Sequence, residues 1–277
     1  MLPIDYQSTR TDFSYEHRLD SIPKNTDFKL HTHSGAYEIL IFLQGNCEFR
    51  VEGRVYDLHP YDIVVAQHTE MHMMFQKEPI VPYERIVIML TDAFFIRNNC
   101  TDFKKIFTDR PLGIHNLLPA LQAHKHQVPQ ILSNAEQYLF EQDPAMETVL
   151  QSKLTELLYH LNQISVTSKR HTAHNGRIKD ILLYINENIT ADLSLELIAK
   201  HFFINKYHLC HLFKQETGLT VNKYITYKRI LLVRELYAKG ASLTAASMEA
   251  GFGNYSNFYK MYLRETGKSP KADLSRV

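Results

Sequence analysis

Cysteine is scarce in this chain, and the three present, Cys47, Cys100 and Cys210, are scattered and odd in number. Such placement suggests neither a disulfide framework nor a cysteine-based zinc site. No low-complexity tract occurs, and no apolar run approaches the roughly 20 residues of a membrane helix. The opening residues carry Asp5, Arg10 and Asp12 where a signal peptide would need an apolar core. These absences lead to the expectation of a cytoplasmic protein with no membrane partner. Net charge is also nearly absent, at +1, but it is unevenly divided. Residues 176–277 hold 15 Lys/Arg against 9 Asp/Glu, a balance of +6, whereas residues 1–175 hold 16 against 21, a balance of −5. A basic C-terminal third suits phosphate contact, and an acidic remainder discourages it.

What is present reads as two kinds of structure. From about residue 25 to 92, short runs rich in β-branched and aromatic residues alternate with turn-like breaks: Tyr37–Leu43, Glu48–Val51, Asp62–Ala66 and Glu84–Leu90. Regular short strands of this kind predict a barrel or sandwich. Residues 93–126 are mixed. The apolar period then becomes helical, through Val128, Ile131, Leu132, Ala135 and Leu139, and again from Met146 to Ile164. The break at Asp143-Pro144 divides this stretch into a helical pair that would pack on the barrel or on a second copy of itself. Residues 165–175 are polar and without periodicity, as a linker would be. The reading is therefore α+β, with a barrel over 1–126, a helical pair open to dimerisation over 127–164, a linker over 165–175 and an all-α domain over 176–277.

The C-terminal domain contains an internal repeat. Asn205-Lys-Tyr-His-Leu-Cys-His-Leu-Phe-Lys-Gln-Glu-Thr-Gly218 recurs as Asn254-Tyr-Ser-Asn-Phe-Tyr-Lys-Met-Tyr-Leu-Arg-Glu-Thr-Gly267. Each copy follows a short helical run and a turn, so each unit reads helix, turn, helix, a geometry that projects its second helix into a DNA major groove. In the first reading helix Leu209, Leu212 and Phe213 share the inward face, leaving Tyr207, Cys210, His211 and Lys214 outward. In the second, Phe258, Met261 and Tyr262 point inward, leaving Ser256, Tyr259, Lys260 and Leu263 outward. Hydroxyl, imidazole and ammonium groups hydrogen-bond to base edges or phosphates, and tyrosine rings contact thymine methyls. Between the units, Val221–Lys239 forms a connector about 28 Å long, close to the ~34 Å between successive faces of one groove. Lys228, Arg229 and Arg234 on it are candidate phosphate contacts.

This domain closely resembles the AraC/XylS family of bacterial transcription regulators. The matching residues are Leu195–Ala199, Leu209, Leu212–Lys214, Glu216–Gly218, Tyr224, Gly251-Phe252, Phe258, Gly267 and Ser269-Pro270. Three residues depart from the pattern: Phe203 where Gly is frequent, Leu263 where a basic residue is usual, and Asp273 in place of an aromatic. The resemblance implies that the two units read adjacent grooves of promoter DNA. It also implies RNA polymerase, a small-molecule effector and a second copy of the chain as partners, and no enzymatic activity.

A second constellation lies near the N-terminus. His31 and His33 are two apart, so on a strand both face one side. Glu38 begins the next strand, and His72 lies downstream. Three imidazoles and a carboxylate could bind a divalent transition metal. The stretch from His31 to Gly45 resembles the cupin motif H-x-H-x4-E-x6-G, and Pro60-Tyr-Asp62 through Glu70-Met-His72 resembles the second cupin motif, with Tyr61 in place of Gly and His68 in place of Pro. That resemblance implies a barrel whose cavity takes a small molecule, such as a sugar or related metabolite, held by His31, His33, Glu38 and His72. The alternative uses the same four residues for a metal, in a metal sensor or a metal-dependent cupin enzyme.

Overall fold

The computed structural model describes residues 3–21, 31–33, 35–52, 54–141, 145–168, 177–217 and 219–274. The linker residues 169–175, the Asp143-Pro144 break and Gly218 lie outside them. The chain divides into two compact units, Met1–Asn175 and Gly176–Val277.

Unit 1 opens with β1 (Ile4–Gln7), β2 (Phe13–Asp20), β3 (Ala36–Gln44), β4 (Cys47–Val51), β5 (Arg54–Asp57), β6 (Ile63–Ala66), β7 (His72–Gln76) and β8 (Tyr83–Thr91). There follow α1 (Asp92–Arg97), α2 (Lys105–Thr108), β9 (Leu117–Leu118), α3 (Ala120–Lys125), α4 (Val128–Glu141) and α5 (Met146–Ser168). One sheet has the order β1-β2-β8-β3-β6-β9 and the other β5-β4-β7. Alternation along β3 shows how they are used. Leu40 and Phe42 join Phe49, Tyr56, Val64, Met74 and Tyr83 in the core between the sheets. Ile39 and Ile41 face the other way, into a larger core with Leu132, Leu154, Leu158 and Leu161 of α4 and α5.

Two expectations change here. Strands begin at Ile4, well before residue 25: β2 carries His17 and Glu16 along its length, which hides its alternation of buried Phe13, Tyr15 and His17. The helix α5 also continues through Ser168, so residues 165–168 are helical and the polar run there does not open a linker. Buried apolar residues of α4 and α5, among them Leu132, Leu154, Leu158 and Leu161, pack into one core with the sheet.

Unit 2 comprises α6 (Arg177–Glu187), α7 (Leu195–His201), α8 (Lys206–Thr217), α9 (Val221–Ala238), α10 (Leu243–Glu249), α11 (Tyr255–Thr266) and α12 (Pro270–Asp273). The repeat is written in its caps. Ser194 and Ser242 accept from the backbone amides of Leu197 and Ala245 to start α7 and α10. Asn205 and Asn254 accept from those of His208 and Asn257, at 2.7 and 2.8 Å, to start α8 and α11. Each such cap contributes about 1 kcal/mol. Thr217 and Thr266 both turn their hydroxyls back to the carbonyl four residues earlier, at 2.7 and 2.8 Å.

Candidate functional site

Glu38 lies on the same face of β3 as Leu40 and Phe42, so its carboxylate is carried into the space between the sheets. It is 5% exposed there, and an unpaired charge at such a position would be costly. His72, 1% exposed at the start of β7, brings Nε2 to 2.7 Å from Glu38 Oε2. His31 is set beside it by a reciprocal backbone pair, each amide donating to the other residue's carbonyl at 3.0 Å. His33 Nε2 approaches the same Glu38 oxygen at 3.1 Å. The rings of His31 and His72 are 4.6 Å apart and those of His31 and His33 4.8 Å. One donor atom from each of the four residues falls within 4.8 Å of every other. The cluster expected from the sequence is thus brought together.

Burial opposes ionisation of Glu38, but the imidazoles of His72 and His33 outweigh it and hold the carboxyl well below the usual range. Burial likewise opposes a charge on His72, and Glu38 more than restores it, so the imidazole titrates above its ordinary value. Despite their proximity, Glu38 Oε2 and His72 Nε2 are both buried without a hydrogen bond. His72 Nδ1 is occupied by the Glu70 carbonyl oxygen at 2.9 Å, which turns Nε2 toward the cluster. This is the outer support a ligating histidine ordinarily has.

Several supporting residues carried no recognisable signal in the sequence. The Glu70 carboxylate is fully buried and receives both Arg110 Nη1 and Nη2, at 2.7 and 2.6 Å, with the Gly113 amide and the Asn116 side chain. That bidentate pair fixes the segment whose carbonyl orients His72. Phe49 of β4 stacks on the His72 ring at 5.5 Å. Glu70 lies within the second motif, but its partner Arg110 is forty residues distant and in no motif.

In unit 2, Tyr207, His211 and Lys214 are exposed on α8 and Cys210 is half-buried beside them. Ser256, Tyr259, Lys260 and Leu263 are exposed on α11. Leu209, Phe213, Phe258 and Tyr262 are buried as the periodicity requires. The connector cations are placed differently from the expectation. Lys228 is 7% exposed, with its ammonium 5.7 Å from the Tyr224 ring centroid. The Arg229 guanidinium donates to the carbonyls of Ile189 and Ala191. Arg234 donates to Asp273 at 2.7 Å, and Tyr262 donates to the same carboxylate at 2.6 Å. Lys228 is thus buried, while Arg229 and Arg234 are half-exposed and engaged within the domain, and Asp273, where the family pattern has an aromatic, is a partner for Arg234 and Tyr262.

A sheet domain with a buried polar cluster, followed by a module of two matched helix-turn-helix units, defines a two-domain DNA-binding regulator. An AraC-like ligand binding domain matches residues 15–80 and a helix-turn-helix domain matches residues 198–276, together just over half of the chain. The chain belongs to the AraC-like family of transcription regulators. The chain is similar to the regulatory protein PocR of Salmonella typhimurium, 28% identical over 42% of this chain and 39% of that protein's length. It is also similar to the transcriptional activator RhaS of Escherichia coli strain SMS-3-5, 24% identical over 85% of this chain and 95% of that one. Among solved structures, fatty-acid-bound ToxT of Vibrio cholerae is 11% identical, aligned over 97% of both chains with a TM-score of 0.39. None of the described helices is long and apolar enough to cross a membrane.

Proposed function

We propose that this protein is a promoter-binding transcription regulator whose barrel senses a small molecule. The observation that carries the reading is the pair of equally built, separately capped helices α8 and α11. They present Tyr207, Cys210, His211 and Lys214 on one and Ser256, Tyr259 and Lys260 on the other. Both would enter major-groove segments of one duplex. RNA polymerase and a second copy of the chain complete the assembly. Since buried apolar residues of α4 and α5 pack into one core with the sheet, dimerisation would draw on their outward residues. The effector would be held by His31, His33, Glu38 and His72, whose mixture of donors and acceptors suits a hydroxyl-rich molecule such as a sugar. Such a regulator acts in the cytoplasm and catalyses nothing. Selection of random duplex DNA by the full-length protein, followed by footprinting, tests the reading. A bounded site spanning two groove segments is expected, and His211→Ala or Lys260→Ala should each cost about 1–3 kcal/mol in binding it. Failure to enrich any sequence would sink the idea.

A second reading of the pocket is favoured by the two orphaned atoms. A cation between Glu38 Oε2 and His72 Nε2 would satisfy both, and three imidazole nitrogens with one carboxylate oxygen form a donor set suited to a divalent transition metal. The residues present therefore fit a metal, which would supply a Lewis-acidic anchor for an oxygen-bearing effector. Metal analysis of protein purified without chelator should then return about one equivalent per chain. Glu38→Gln should abolish it, and chelation should lower the melting temperature of unit 1. A metal-free protein that also takes up no zinc, nickel or manganese on titration would leave the direct organic contact as the reading.

A further inference from the structure

The turn of the second helix-turn-helix unit touches the loop that leads into the first. Arg229, on α9, donates from Nε to the Ile189 carbonyl oxygen at 2.9 Å and from Nη2 to that of Ala191 at 2.6 Å. This loop leaves α6 and runs directly into the Ser194 cap of α7. Gly251, in the turn between α10 and α11, packs at the same point. Its φ is +87°, and a Cβ there would fall 2.8 Å from the Thr190 carbonyl oxygen and 3.1 Å from Arg229 Cζ and Nε. A backbone oxygen cannot step aside as a side-chain tip can, so the contact itself requires glycine as much as the dihedral does. The equivalent turn residue of the first unit, Phe203, is 96% exposed and has no such neighbour.

We infer that Arg229 and Gly251 are positioning residues for DNA reading: they latch the turn before α11 to the loop before α7. The inference rests on the reading of α8 and α11 as groove-entering helices. A single connecting helix holds two units at one place and leaves them free to bend about it. The approach of Gly251 to the Thr190 carbonyl adds a point of attachment besides the connector, and Arg229 holds that loop to the connector, so the separation and relative rotation of α8 and α11 are fixed together. The planar guanidinium suits this role, since its fork reaches two carbonyls at once, whereas an ammonium on a flexible stem does not. The consequence for DNA is a strict spacing between the two half-segments of the site.

The experiment compares full-length wild type, Arg229→Lys and Gly251→Ala on the selected site and on derivatives with one to three base pairs inserted between its two segments. Wild type should lose more than about tenfold in affinity on insertion, because one unit forfeits its base contacts. In both variants that penalty should shrink to within about threefold, a readout that simple loss of stability does not move. The slope of log K against log salt should be unchanged in Arg229→Lys and in Arg229→Met, whereas Lys214→Ala should flatten it by about one. A DNA-free arm follows amide exchange: Gly251 and Phe252, whose amides bond to Met248 and Ser247, should exchange about tenfold faster in Arg229→Lys while α8 is unaffected. Retention of the full insertion penalty in both folded variants, a flattened salt slope in Arg229→Met, or unchanged exchange would overturn the latch. Should wild type select no DNA at all, the regulator reading fails by itself, and exchange still decides whether the latch exists.

Discussion

Among the non-glycine residues with left-handed backbone, Tyr61 (φ 72°) and Phe203 (φ 53°) stand at the two motif positions noted above as usually glycine. The conformation costs an L-residue on the order of 1–2 kcal/mol. Tyr61 gains something in return, because its ring meets that of His124 edge-on at 4.8 Å. Phe203 gains no packing, being 96% exposed. Replacing Phe203 by Gly should therefore stabilise unit 2 by about 0.5–1 kcal/mol, raising its thermal midpoint by about 2–5 °C. Phe203→Ala, which keeps the strained backbone, should not. A lower midpoint for the glycine variant in differential scanning calorimetry would refute this. Both aromatic departures were visible in the sequence, and each fell where the backbone is strained. The departure at Asp273 was equally visible, but its purpose was not, since Arg234 and Tyr262 come from other helices and no spacing announces them.

At the scale of elements, the contact between sheet and helix α4 turns on one histidine. His17 of β2 is buried, with Nδ1 2.7 Å from Glu136 of α4 and Nε2 2.9 Å from Glu84 of β8. The Tyr15 hydroxyl donates to the same Glu136 oxygen at 2.8 Å. Only the imidazolium donates from both nitrogens. The Glu136 bond, opposed by burial and reinforced by Glu84, raises the pKa of His17 above its ordinary value. Because the folded-state pKa is the higher one, the stabilisation is complete below the unfolded value of about 6.5 and is lost as pH rises through the folded value. The melting temperature of unit 1 should thus fall between slightly acidic and alkaline pH, and His17→Gln should flatten that slope. His17→Ala should cost about 3 kcal/mol by taking the shared cation from both carboxylates and leaving Glu136 only the Tyr15 hydroxyl. An unchanged slope in His17→Gln would assign the pH dependence elsewhere. This strand was illegible in the sequence for the same reason it matters: a buried histidine in an inward position interrupts the apolar alternation by which strands are recognised. The runs that form β3, β4, β6 and β8 were legible, whereas β5 and β7, with Arg54, His72 and Gln76 among their buried residues, show no such apolar run.

At the scale of the whole chain, what could be read was whatever repeats or recurs at fixed spacing. The two helix-turn-helix units, their outward faces and the four-residue polar cluster all have such spacing. Contacts between distant residues do not: Glu70 with Arg110, Arg229 with the loop at 189–191, and Gly251 with Thr190 are invisible until the chain is folded. That is why the connector cations read as phosphate contacts in the sequence, while their partners within the domain show only in the fold. One difference between the units was also readable, and it has a larger meaning. Residues 202–205 separate α7 from α8, whereas residues 250–254 separate α10 from α11, one more in the second turn. Together with unlike outward faces, this gives the module a head and a tail. A symmetric dimer reads a palindrome and cannot tell upstream from downstream. One chain with two unequal units can, so the orientation of a promoter could be encoded in a single copy of this protein.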